Sequence, residues 1–161
     1  MELLFYLVDA ALVAGLAVWM IVAVADNWRH PRMNEESVAM VVRLDLMERD
    51  YPDEFRLIAH RRINDPKTIG RLFRLIRLVE TVAAVALGLA ALLLGLAAAG
   101  LVAHGVATGA ALSSVTLFTS IWAGFVIGGN HFAYWYCHQW AQSNHFMLMY
   151  WGFLVLIVLL L

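Results

Sequence analysis

Charge and cysteine are both scarce in this sequence, and each scarcity excludes something. Only 14% of the 161 residues are charged, and beyond Glu80 there is no Asp, Glu, Lys or Arg at all. Soluble domains devote roughly a quarter of their residues to charge, so this chain lacks the means to cover itself for water. A formal net charge of −1 leaves no basic excess with which to neutralise phosphates, which excludes a nucleic-acid partner. The single cysteine, Cys137, cannot form an intrachain disulfide and is read as a free thiol. There is no glycine-rich phosphate loop, GxSxG elbow, HExxH or CxxC. The chain is therefore read as no enzyme, and no metal site is assigned.

What is present is apolar. Hydrophobic residues make up 63% of the chain, and the mean hydropathy is +0.76. Crossing about 30 Å of hydrocarbon as a helix takes roughly 20 residues, and four stretches qualify, at about 3–25, 75–102, 110–129 and 146–161. These predict an all-α fold: a single membrane domain over 1–161, built as a four-transmembrane-helix bundle with a long polar loop at about 26–74 between the first two spans. Ala23-Val24-Ala25 resembles a small-residue cleavage site, but the segment before it carries Glu2 and no Lys or Arg. Its apolar run is also longer than a signal core, so it is read as a retained helix.

The loop holds ten of the eleven Lys and Arg residues, with Arg77 the eleventh, together with nine of the twelve acids. The positive-inside rule puts it on the cytoplasmic side of a bacterial inner membrane. Asp65-Pro66 pairs an N-cap residue with proline at the first helical position, so a helix is expected to begin there and run into the second span. It would carry Lys67, Arg71, Arg74 and Arg77 toward the membrane surface, where they can snorkel to phosphates. Segments 35–48 and 53–62 alternate apolar and charged residues with helical period and are expected to form short amphipathic helices. Within the loop and the approach to the second span, Arg29, Asn34, Asp45, Arg61, Arg62, Arg71 and Arg74 are the candidate partner-docking residues.

Small residues recur in the second span as Ala84/Gly88 and Ala91/Gly95, pairs that predict close helix packing. Ser113, Ser114, Thr116, Thr119 and Ser120 of the third span are expected to bond back to their own helix. Glu80 lies one turn beyond Arg77, within reach of an i, i+3 ion pair. Asp9 and His104 fall near the opposite leaflet.

His131, His138 and His145 are spaced by seven, two helical turns or about 10.5 Å of rise, too far apart for two of them to chelate one ion. Each could be an axial ligand to haem b with a partner histidine from elsewhere, or belong to an interfacial aromatic belt with Phe132, Tyr134, Trp135, Tyr136, Trp140, Tyr150 and Trp151. Glu80, Arg77, Asn130, His131 and Trp135 share a leaflet and could hold a quinone headgroup. The candidate cofactor-binding set is thus His131, His138, His145, Glu80, Arg77 and Trp135.

Asn27, Pro31 and Asn34 after the first span, Leu44-Asp45, then Ile63, Pro66 and Glu80 stand at characteristic intervals. They are followed by Gly128-Gly129, Phe132, Trp135 and Trp140. In these residues the chain resembles, over nearly its whole length, the bacterial predicted small integral membrane proteins, the DUF2165-type four-helix membrane proteins. It departs from their pattern at Asn130 and His131, where an acidic residue and tryptophan are usual, and in its uncharged second loop. The resemblance implies the four-helix fold and a membrane location and carries no activity with it. Two functions remain open. One is a non-catalytic accessory or assembly subunit of a larger bacterial membrane complex, respiratory or photosynthetic, with the lipid bilayer and other membrane subunits as its partners. The other is an electron-transfer subunit binding haem b or quinone.

Overall fold

The computed structural model describes residues 2–161 and is helical almost throughout. Four long helices, α1 (Glu2–Arg29), α5 (Pro66–Ala98), α6 (His104–His131) and α8 (Gln139–Leu159), are each long and apolar enough to cross a membrane. Between α1 and α5 lie α2 (Pro31–Val42), α3 (Asp45–Asp50), α4 (Pro52–Ile58) and a single 3-10 turn at Ala59–Arg61. A short α7 (Tyr134–Cys137) separates α6 from α8.

The second span begins where its N-cap signal predicts. The Asp65 carboxylate accepts from the backbone N–H of Lys67 at 3.2 Å and of Thr68 at 3.0 Å, so two donors that the first helical turn cannot satisfy find a partner. With 33 residues, α5 is about 50 Å long at 1.5 Å per residue. Its first turns therefore stand outside the hydrocarbon and carry the basic residues. It stops at Ala98, short of the expected 102, because Gly100 takes a left-handed turn (φ +75°) that lets Leu101 N–H reach back to the Leu96 carbonyl at 2.9 Å. The fourth span starts at Gln139 rather than 146, so its polar first turns are helical as well.

α1 packs along α5, α5 on α6, and α6 on α8. Val13, Leu16 and Met20 of α1, Leu87 and Leu94 of α5, Val115 and Phe118 of α6 and Val155 of α8 are fully or almost fully buried where these helices meet. The packing face of α5 is Ala83, Leu87, Ala90, Leu94 and Ala97, one side of the helix by i, i+3/i+4 spacing. The pairs Ala84/Gly88 and Ala91/Gly95 do not make the close approach expected of them, since a Cβ on Gly88 or Gly95 would meet nothing within 4 Å. The tight glycine contact is elsewhere: a Cβ on Gly152 of α8 would lie 2.2 Å from Thr119 Oγ1 of α6. In α6, Ser113, Ser114 and Thr119 do donate to their own helix, at 2.9, 3.0 and 2.8 Å.

The polar loop has its own small cores. Ala39 and Val42 of α2 bury against Ile69 of α5, with Ile63 and Phe132 beside them, and Ile63 N–H donates to the Val42 carbonyl at 2.9 Å. The helix expected over 35–48 is broken at Leu44, which adopts a left-handed backbone (φ 56°) while its side chain is buried with Met47 and Ala133. Ala133 is itself left-handed (φ 49°). The two corners thus support each other, each holding a conformation costing a non-glycine residue about 1 kcal/mol. Arg62 meets Glu48 at 2.6 Å, Arg43 meets Asp45 at 2.9 Å and also Glu36, and Arg61 donates to the His131 carbonyl at 3.0 Å.

Candidate functional site

At the loop end of the bundle the helices part to leave a cavity of about 700 Å³, walled by α1, α2, α5, α6 and the α7–α8 corner. That volume lies within the range of small-molecule sites. Its construction follows from what each helix brings. α1 keeps one polar residue buried at its loop end, Asn27. The Asn27 amide donates to Glu80 Oε2 of α5 at 2.6 Å and accepts from the amide of Asn34 of α2. A carboxyl group only 6% exposed needs such a partner, because an unpaired one in this setting would cost several kcal/mol.

The facing wall is aromatic. His145 of α8 stacks near-parallel with Phe125 (centroids 5.0 Å, 24° between planes), Trp122 (5.7 Å, 28°) and Tyr134 (6.0 Å, 22°). Trp122 is braced from behind by Trp19 of α1, edge-on at 5.4 Å. Three polar atoms on this wall, Trp122 Nε1, the Tyr134 hydroxyl and His145 Nδ1, are buried without a hydrogen-bond partner in the chain. All three side chains line the cavity. Buried polar groups are almost always paired, but these three atoms are closed off from the cavity itself, so a bound molecule would reach them only through a shift of the wall.

Local backbone sets this wall. The left-handed Ala133 ends α6 and turns the chain so that Tyr134 folds back over Gly129, where a Cβ would stand only 2.6 Å from the Tyr134 ring. Glycine is required there by Tyr134, not by backbone conformation. His138, at the start of α8, is 8% exposed and lines the same cavity. Burial pushes its imidazole below the usual histidine pKa, which favours the neutral ring. Burial likewise raises the Tyr134 phenol, which stays a hydrogen-bonding neutral group.

Of the six candidate cofactor residues, Glu80, His138 and His145 line the cavity, whereas His131, Arg77 and Trp135 do not. His131 and Trp135 are exposed. Arg77 does not form the expected pair with Glu80: its guanidinium lies over the Trp28 ring at 3.9 Å, and Glu80 turns to Asn27. Of the candidate docking residues, Asn34, Asp45, Arg61 and Arg62 are engaged within the chain. Arg29, Arg71 and Arg74 are exposed. Trp122 and Tyr134 were not singled out as ligand groups by sequence reasoning. A tryptophan deep in an apolar span, away from either interface, is the signal that could have drawn attention to the first.

Among the described residues no three His, Cys, Asp or Glu side chains gather at metal-binding distance. At the other end of the bundle His104 lies tilted against Tyr6 with centroids 3.9 Å apart and bonds the Thr108 hydroxyl at 3.1 Å.

No curated protein and no solved structure matches the chain. A family model does, over residues 5–161, and with four candidate spans and exposed apolar side chains such as Leu75, Ile127 and Leu154 along them the chain is an integral membrane protein in contact with lipid: it belongs to the family described as "Predicted small integral membrane protein (DUF2165)".

Proposed function

We propose that this protein is a non-catalytic membrane subunit that holds a quinone-class molecule, serving a larger membrane complex. The observation that carries this reading is the 700 Å³ cavity whose lining combines a hydrogen-bonded carboxyl with a near-parallel aromatic stack. A quinone ring is flat, which suits the stack formed by Trp122, Phe125, Tyr134 and His145. It has oxygens at opposite edges, which suits polar groups on two walls, and an isoprenoid tail that lipid accepts. Asn27 and Glu80 would meet one oxygen, and Tyr134 or His145 the other. Chemical conversion would be the work of the partner complex, since the chain carries none of the familiar catalytic motifs.

The haem alternative draws less support from the same residues. A bis-histidine site needs two rings facing one iron. His138 and His145 are two turns apart at the head of one helix, and His131 is exposed. On this reading the protein sits in a bacterial inner membrane with its basic loop cytoplasmic, by the positive-inside rule.

The test is organic extraction of protein purified in mild detergent, with mass spectrometry of the extract and an absorption spectrum of the protein. Quinone is expected to co-extract, and Asn27→Leu or His145→Phe is expected to lower its retention about tenfold, the worth of one hydrogen bond to a charged or buried group. A protein free of quinone after reconstitution with a quinone-containing lipid extract overturns the proposal. A Soret band would hand the cavity to haem.

A further inference from the structure

Four of the nine arginines of the polar segment are neutralised inside the chain. Arg43, Arg49, Arg56 and Arg62 each meet an acid. Four cations on the first turns of α5 behave differently. Lys67, Arg71, Arg74 and Arg77 line one open cleft of about 490 Å³ against the start of α2, and among the described residues none of them is paired with an acid. They recur at i, i+4, i+7 and i+10, which keeps them on one side of the helix. Arg74 spends its Nε on the Gly70 carbonyl at 3.1 Å, which leaves both terminal nitrogens available. One acid, Glu35, faces them from α2. A Cβ on Gly70 would lie 3.3 Å from its Oε1.

The cleft also has a definite height. Arg77 rests on Trp28, whose indole N–H donates to Thr81 at 3.1 Å, and an exposed tryptophan at the end of a span marks the headgroup boundary. Between and past the last two cations the same helix exposes Leu75 (58%), Leu78 (58%) and Val82 (52%), a lipid-facing stripe at i, i+3, i+7. A cationic cleft that runs into an exposed apolar stripe fits a molecule with an anionic head and acyl tails.

We infer that the cleft between the start of α2 and the first turns of α5 is a headgroup site for an anionic phospholipid, its phosphate held by Lys67, Arg71 and Arg74 with the acyl chains along Leu75, Leu78 and Val82. A free phosphate would use the cations but not the stripe. This inference does not rest on the quinone reading: Phe73 lines both spaces and Leu75 borders the cavity as well, but none of the four cations lines it.

The test is native mass spectrometry of the full chain released from nanodiscs of equal parts phosphatidylglycerol and phosphatidylcholine. Phosphatidylglycerol is expected to be retained preferentially. Each basic residue near the surface strengthens binding about fivefold, so R71Q/R74Q is expected to lower that preference about thirtyfold, while E35Q raises it. Equal retention of the two lipids by the unaltered protein overturns the inference, as does a preference that R71Q/R74Q leaves unchanged. Displacement of the lipid by inorganic phosphate at equal concentration would show that the tails contribute nothing and would likewise overturn it. Should R71Q/R74Q not fold, as judged by circular dichroism, E35Q decides alone: a raised preference supports the site and an unchanged one removes it.

Discussion

The two ends of this bundle are built from the same helices and packed by different rules. Away from the loop, Ala83, Leu87, Ala90 and Leu94 of α5 mesh with Ala107, Ala111 and Val115 of α6 in a cluster without buried acid or amide. Beneath the loop the helices carry Asn27, Glu80, Trp122 and His145, and they stand apart around a cavity. Alanine lets helix backbones approach, and in lipid that approach is where most of the packing energy comes from. Large aromatic rings and a carboxyl group hold helices apart, and the space they leave is usable. The closely packed end holds the bundle together so that the end beneath the loop can remain open, which is the division of labour expected when a binding site is carried on a rigid scaffold.

The largest disruption of that division is expected at the boundary between the two ends. Gly152→Val would drive a side chain into Thr119 and Phe118, where even a Cβ lies at 2.2 and 3.2 Å, and should destabilise the α6–α8 pair by about 3 kcal/mol, the upper range for overpacking. Unfolding in mixed micelles of rising denaturing-detergent fraction would read this directly. A loss below about 1 kcal/mol would mean the helices are free to separate there, and the closely packed end would not be rigid.

A matched pair of truncations sharpens the comparison. Val115→Ala, at a fully buried α6 position, should cost about 2 kcal/mol through the void it leaves. Val41→Ala, on the cavity wall, should cost less than about 0.5 kcal/mol because space is already present beside it. Equal costs in the same unfolding assay would erase the distinction between the ends.

A smaller and opposite effect is expected at the corner that aims Tyr134. Ala133→Gly relieves a left-handed backbone and should stabilise by about 1 kcal/mol, seen as a rise in melting temperature. If stability falls instead, the buried methyl matters more than the strain.

The smallest effect is a pH slope confined to the cavity end. Because burial lowers the His138 pKa in the folded state, the unfolded chain binds the extra proton first. The stability this residue contributes is complete above its unfolded pKa of about 6.5 and declines as pH falls below that. Melting temperature should drop between about pH 7 and about pH 5, and His138→Phe should flatten that drop. An unchanged slope in the variant would assign the titration to another group.

The fold was legible to different depths in different places. Four spans follow from length and hydropathy, and the start of α5 from two residues, Asp65 and Pro66, because an N-cap and a proline act on their own helical turn. The intrahelical bonds of Ser113, Ser114 and Thr119 were legible for the same reason. Failures occurred where a side chain had a choice between a neighbour in sequence and one in space. Arg77 and Glu80 are one turn apart and were expected to pair. In the folded chain Glu80 bonds Asn27, 53 positions away, and Arg77 has Trp28. The small-residue pairs at Gly88 and Gly95 failed likewise, because a motif says that approach is possible and not which helix approaches.

The sequence by itself determined that this chain lives in a membrane, how many times it can cross, and where its charge must stay, since those follow from counting apolar residues against the thickness of lipid. Only the tertiary structure decided that Asn27, Glu80, Trp122, Tyr134 and His145 share one cavity. Each lies on a different helix or corner, and the angles and registers that bring them together are set by packing among Leu16, Leu87, Val115 and Val155. That packing is a property of the assembled bundle, and no single stretch of the chain contains it.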